Sequence, residues 1–173
     1  MRWSGRVAVV GAMALLGALA SGPARGAGTP ALERLKALEG EWSGPAVWDQ
    51  KGKLGSVEFK LSYKVTAAGH TVVETMFPGT PGEMLTVYHL DGDELVLVHY
   101  CTSGNQPHMK LEPSDAPNVL AFRCTGGTNM TEADSHMHSA RIEIVEPNRI
   151  KGTWTSMKAG ELQWTASAEL TRR

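Results

Sequence analysis

From Glu41 to the C-terminus almost every stretch alternates apolar and polar residues, broken at short intervals by turn-forming residues. Val57, Phe59, Leu61, Tyr63 and Val65 alternate with Ser56, Glu58, Lys60, Ser62 and Lys64. That period of two belongs to a strand with one buried face. Two further apolar runs, Met84–Leu90 and Leu95–Cys101, flank Asp91-Gly92-Asp93. Asp-Gly between apolar runs marks a hairpin. Ala67-Ala68-Gly69, Pro78–Gly82, Pro113–Asn118, Pro147-Asn148 and Ala159-Gly160 punctuate the rest, and Thr125–Ser135 reads as a longer loop. The spacing gives about ten strands and no helix long enough for a parallel crossover, so the sheet is antiparallel. A meander of this many strands curls or closes, which removes its exposed edges. The expected fold is therefore all-β, an up-and-down barrel. One short N-terminal helix precedes it: Thr29-Pro30 opens it, Leu32, Leu35 and Leu38 keep helical spacing, and Gly40 closes it. It is expected to lie across one end of the sheet.

A length of 173 residues suits a single domain with a real core. A net charge of -1 with scattered Lys and Arg leaves no footprint for nucleic acid. The N-terminus differs in composition. Arg2 and Arg6 precede an uncharged apolar run, Val7–Ala20, and small residues follow. This is the layout of a signal peptide over residues 1–26, with cleavage after Ala20 or Gly26. The run is shorter than the ~20 residues a membrane span needs, so no stable membrane insertion is expected after its removal. The mature domain is then 27–173, and its expected location is periplasmic or secreted. Export permits disulfides, and there are two cysteines, Cys101 and Cys124. If one strand lies between theirs, the gap is about twice the ~4.8 Å interstrand spacing and too wide to bridge. The register, which sequence leaves open, decides between a disulfide and a small buried hydrophobe at each position.

The segment Leu35-x-x-Leu38-Glu39-Gly40-Glu41-Trp42-Ser43-Gly44 resembles the opening of calycin barrels. It is similar to the G-x-W of lipocalins and the G-x-W-x-G of nitrobindin-type heme-binding barrels. V-E-T-M-F-P-G-T-P-G-E-M, Y-H-L-D-G-D, H-Y-C-x-x-G-N-Q-P and H-M-H resemble a bacterial lipocalin-like family of unknown function, over most of Leu32–Trp164. The resemblance implies a calycin or lipocalin-like barrel and brings no established activity. Gly44 is followed here by Pro45, and no C-terminal histidine matches the nitrobindin heme ligand.

In an extended chain Glu132, Asp134, His136 and His138 share a face that continues into Ala140, Ile142 and Ile144, with Met137 and Ser139 opposite. Two imidazoles beside a carboxylate are a donor set for a divalent metal. The blander account is two histidines hydrogen-bonded at a damp barrel mouth. His99 and Cys101 share a strand face with Leu95 and Leu97, and Asn105, Gln106 and Met109 follow a turn. Two amides there supply donors and acceptors that can orient a small ligand. Trp42, Trp48, Trp154 and Trp164 fall on inward faces beside Gly152, Ala166 and Ala168, an arrangement that suits either tight packing or a cavity. There is no G-x-S-x-G, H-E-x-x-H, phosphate-binding glycine loop or C-x-x-C. The reading is a non-enzymatic binding protein holding a small, mostly apolar ligand. Its mouth is lined by His99, Cys101, Asn105, Gln106, Met109, His136 and His138. The alternative is a metal- or heme-binding protein, with His136 and His138 as metal ligands.

Overall fold

The structure, a computed structural model, describes residues 28–173, so the expected signal peptide lies outside it. Helix α1 (Gly28–Lys36) leads into ten strands: β1 (Gly40–Gln50), β2 (Lys53–Thr66), β3 (Thr71–Met76), β4 (Met84–Asp91), β5 (Glu94–Tyr100), β6 (Gln106–Leu111), β7 (Val119–Thr128), β8 (His136–Glu146), β9 (Arg149–Lys158) and β10 (Glu161–Arg172). Each strand pairs antiparallel with its sequence neighbour, and β1 pairs with β10 to close the barrel. The expected antiparallel up-and-down barrel with one short helix is the fold observed.

Closure explains a feature of the first strand. The β1–β10 ladder steps from Ser43↔Thr171 to Ala46↔Ala168, passing over Gly44 and Pro45. A Cβ on Gly44 would stand 2.1 Å from the Glu169 carbonyl oxygen, so the backbones meet there too closely for any side chain. Pro45 has no N–H to lose.

One end of the barrel is plugged. Ala31, Leu32, Leu35 and Leu38 are buried, and the Gly28 N–H donates to the Asp93 carbonyl in the β4–β5 turn. Trp42 donates its indole N–H to the Leu38 carbonyl at 2.8 Å, and the Arg172 guanidinium lies 4.5 Å above the Trp42 ring. Arg172 also donates to the Ala37 and Glu39 carbonyls. These bonds satisfy the carbonyls of the turn that leads from the helix into β1. The Gly-x-Trp segment thus fastens the helix to the barrel floor.

The opposite end departs from simple alternation. β7 continues to Thr128, beyond the Cys124 where its strand pattern stops. A bulge in β8 lies between Met137 and Ser139, and a second irregularity sets His108 and Met109 of β6 against Gly126 and Cys124 of β7. The β8 bulge corrects the facing of that strand. Met137 is buried in the core with Ala140 and Ile142, although strict alternation puts it on the other face. A residue inserted on one strand of a pair resets the alternation beyond it.

Candidate functional site

His136 and His138 stand together at the open end, and Cys124 of β7 joins them. One ligand-type atom from each lies within 4.8 Å of the others. His136 Nδ1–H donates to the Asp134 carbonyl at 2.9 Å, which leaves Nε2 with its lone pair toward His138 Nδ1, 3.3 Å away. Burial and the neighbouring His136 hold the His138 imidazole below its ordinary pKa. Burial pushes the Cys124 thiol up, and its Sγ–H lies 3.3 Å from the Gly126 carbonyl. The carboxylate expected beside the histidines is turned away: Asp134 accepts from the Thr131 N–H and hydroxyl, closing its own loop. Cys124 takes the place that residue spacing suggested for an acid. It follows Leu120 and Phe122 on an alternating face, which was the available signal. Both cysteines are free thiols.

Of the other residues expected at the mouth, two amides brace the loops that carry the histidines. Asn105 is buried and donates to the Ser135 carbonyl at 2.8 Å, while Ser103 donates to its Oδ1. Gln106 donates to the Gly104 carbonyl and accepts from Thr128 and Asn129. Cys101 sits in the tight turn that follows β5, where its N–H donates to the Asn105 carbonyl. Met109 is core, paired with Leu97 and Cys124.

His99 belongs to a separate buried assembly. The register runs Tyr63↔Glu74, Glu74↔Thr86 and Thr86↔His99, a row of polar side chains across β2 to β5. All four are buried. His99 Nδ1 meets the Thr86 hydroxyl at 2.9 Å, and its Nε2 has no partner among the described residues. Burial drives its pKa down to about 4. Tyr88 donates to Glu74 Oε2 at 2.5 Å, and Glu74 Oε1 is without a partner among the described residues. Burial raises the Glu74 pKa to about 7, against the lowering effect of the Tyr88 and Tyr63 hydroxyls. Each buried orphan costs about 1–3 kcal/mol of desolvation. Glu74 was missed in the sequence, although it shares a face with Val72 and Met76, an acid where an apolar residue is expected.

Between the hairpin tips an apolar cavity of about 90 Å³ opens into the barrel. Phe59, Met76, Met84, Met137, Trp154 and Trp164 line it, with Trp48 at the lip. Trp48, Ala166 and Trp154 form one cross-strand row, so the small Ala166 between two indoles leaves the space. Trp48 is 39% exposed, and its ring lies so close to Gly55 that a Cβ there would come within 2.3 Å of it. Below the cavity the barrel is filled by Trp42, Leu61, Tyr88 and Phe122. Cavities for drug-sized ligands run to about 300–1,000 Å³. At about 90 Å³ this cavity lies well below that range.

No protein-family model matches the chain, and no curated protein does. Among solved structures, a protein of unknown function from the DUF3598 family of Nostoc punctiforme PCC 73102 aligns with a TM-score of 0.57 at 14% identity, covering 80% of this chain and 49% of that one. Rv2717c from M. tuberculosis aligns with a TM-score of 0.56 at 17% identity, covering 83% of this chain and 98% of that one. The chain spans about half the length of the first. At these identities the likeness is one of fold, and it fits a barrel family of unknown function.

Proposed function

We propose that the chain is an exported, lipocalin-like binding protein, without catalytic activity, that takes a small apolar group into the open end of its barrel. The observation that carries this reading is the cavity between Trp48, Phe59, Trp154 and Trp164, lined only by apolar side chains at the end the helix leaves uncovered. Its volume of about 90 Å³ suits a few methylenes or the tip of a longer chain. The loops at this end, braced by Asn105 and Gln106, hold the rim in place. Of the residues expected to bind ligand, Cys101, His136 and His138 stand at this open end, while His99 lies in the buried polar row and Met109 in the core. The signal-peptide pattern of residues 1–26 supports a mature domain, 27–173, in the periplasm or outside the cell. N-terminal sequencing of the exported protein should then begin at Ser21 or Ala27.

The test is a series of n-alkanols of increasing length, with tryptophan fluorescence as readout. Affinity should rise about fourfold, near 0.8 kcal/mol, per added methylene until the cavity is full, then level off. Ala166→Leu, which fills the space between the indoles, should bring the plateau to shorter chains. An affinity that climbs without limit and equally in both proteins would mean surface partitioning and would overturn the proposal.

A further inference from the structure

We propose that Cys124, His136 and His138 form a three-ligand site for a late first-row divalent cation of the zinc class, with its fourth position left to solvent or an exogenous ligand. The donor set is one thiolate sulfur and two imidazole nitrogens, which favours zinc, cobalt or copper and disfavours magnesium and calcium. The spacing agrees with the chemistry. Two nitrogens on a tetrahedral zinc, each about 2.0–2.1 Å from it, stand roughly 3.3–3.4 Å apart. His136 Nε2 and His138 Nδ1 are separated by 3.3 Å.

The surroundings are those of a prepared ligand rather than a chance pair. His136 is held by the Nδ1–H bond to the Asp134 carbonyl, the kind of outer contact that fixes tautomer and ring orientation in metal sites. The Asp134 carboxylate anchors that loop through Thr131, and Asn105 ties the adjoining Ser135 carbonyl to the neighbouring loop. Two strand irregularities converge here, one beside His138 and one beside Cys124. Bulges recur next to functional sites because they re-aim side chains. His136 is buried, while Cys124 and His138 are half-buried, so the cluster is open to an ion from solvent. Binding displaces the Cys124 thiol proton to solvent, forms one metal–sulfur and two metal–nitrogen bonds, and involves no redox change.

The experiment uses the full mature chain without a polyhistidine tag, stripped with a chelator and titrated with zinc against a chromophoric competitor, then with cobalt. One equivalent of zinc should bind with Kd below about 1 µM. Cobalt should give tetrahedral d–d bands and a thiolate charge-transfer band. Cys124→Ser should remove the charge-transfer band and weaken zinc at least tenfold, and His136→Ala with His138→Ala should weaken it at least a hundredfold. Cys101→Ser should change neither. If a histidine variant fails to fold, the parent still decides. Zinc should slow alkylation of Cys124 but not of Cys101, read by peptide mass. Zinc-independent alkylation of both thiols, or unchanged zinc affinity in Cys124→Ser, would overturn the site. The alkanol series is measured on the metal-free chain, so failure of either proposal leaves the other standing.

Discussion

The two ends of this barrel are built from the same ten strands and differ in what each leaves unfinished. At the helix end Leu32, Leu35 and Leu38 are buried, and Trp42 and Arg172 bond the carbonyls of the turn that follows the helix. At the open end the strands bulge, Trp48 and Leu162 face solvent, an apolar cavity stands between the indoles, and a thiol meets two imidazoles. The helix seals one end, and the other carries the thiol, the imidazoles and the indole-lined cavity. Substitutions at the two ends should therefore separate loss of fold from loss of binding.

The largest effect is expected in the plug. Leu35→Ala removes a fully buried side chain and should cost about 2–5 kcal/mol in chemical denaturation. Its alkanol affinity, measured where it is still folded, should match the parent's. A loss of affinity there would break the separation of the two ends.

The buried row between the ends should respond to pH with opposite signs. The folded pKa of Glu74 is raised from 4.5 to about 7, so its contribution is full below pH 4.5 and is lost as pH rises to about 7. The folded pKa of His99 is lowered from 6.5 to about 4, so its contribution is full above pH 6.5 and is lost as pH falls toward 4. Between 4.5 and 6.5 the two slopes oppose each other. Glu74→Gln should gain about 3 kcal/mol at pH 8 relative to its effect at pH 4, and should uncover the rising His99 limb. A difference between variant and parent that is constant across pH would show that Glu74 does not titrate in this range.

Thr86→Val should cost about 1–3 kcal/mol, because it leaves His99 Nδ1 without its partner as well as Nε2. Urea denaturation above pH 7 gives the value free of histidine protonation.

Sequence alternation carried most of this architecture because each strand has one buried face, and the Asp91-Gly92 hairpin and the Leu32–Leu35–Leu38 stripe have direct local causes. What alternation does not carry is the effect of an inserted residue. The bulge beside His138 brings Met137 into the core, and only the folded strands set Cys124 across from the histidine pair. Glu74 is different in kind. Its spacing placed it on the face of Val72 and Met76, but a charged residue in a strand is ordinarily read as solvent-facing, and its burial depends on Tyr88 reaching it from the adjacent strand, two residues along from the paired Thr86. The Asn105 and Gln106 amides were legible as polar groups at the rim, while their partners, Ser135, Thr128 and Asn129, come from loops remote in sequence.

The smallest stability effect should fall at the lip. Trp48→Ala should cost under about 1 kcal/mol, since the indole is 39% exposed. The same variant should lose most of its alkanol affinity, the reverse of Leu35→Ala.

The division between a sealed end and a binding end is tested most directly by the indole N–H signals in a ¹H–¹⁵N spectrum of the mature chain titrated with 1-hexanol. Trp48, Trp154 and Trp164 line the cavity, whereas Trp42 is bonded to the Leu38 carbonyl beneath the helix. Saturable shifts of the first three with Trp42 unmoved are the expected result. Shifts of Trp42 as large as theirs, or no saturable shift in any of the four, would contradict it.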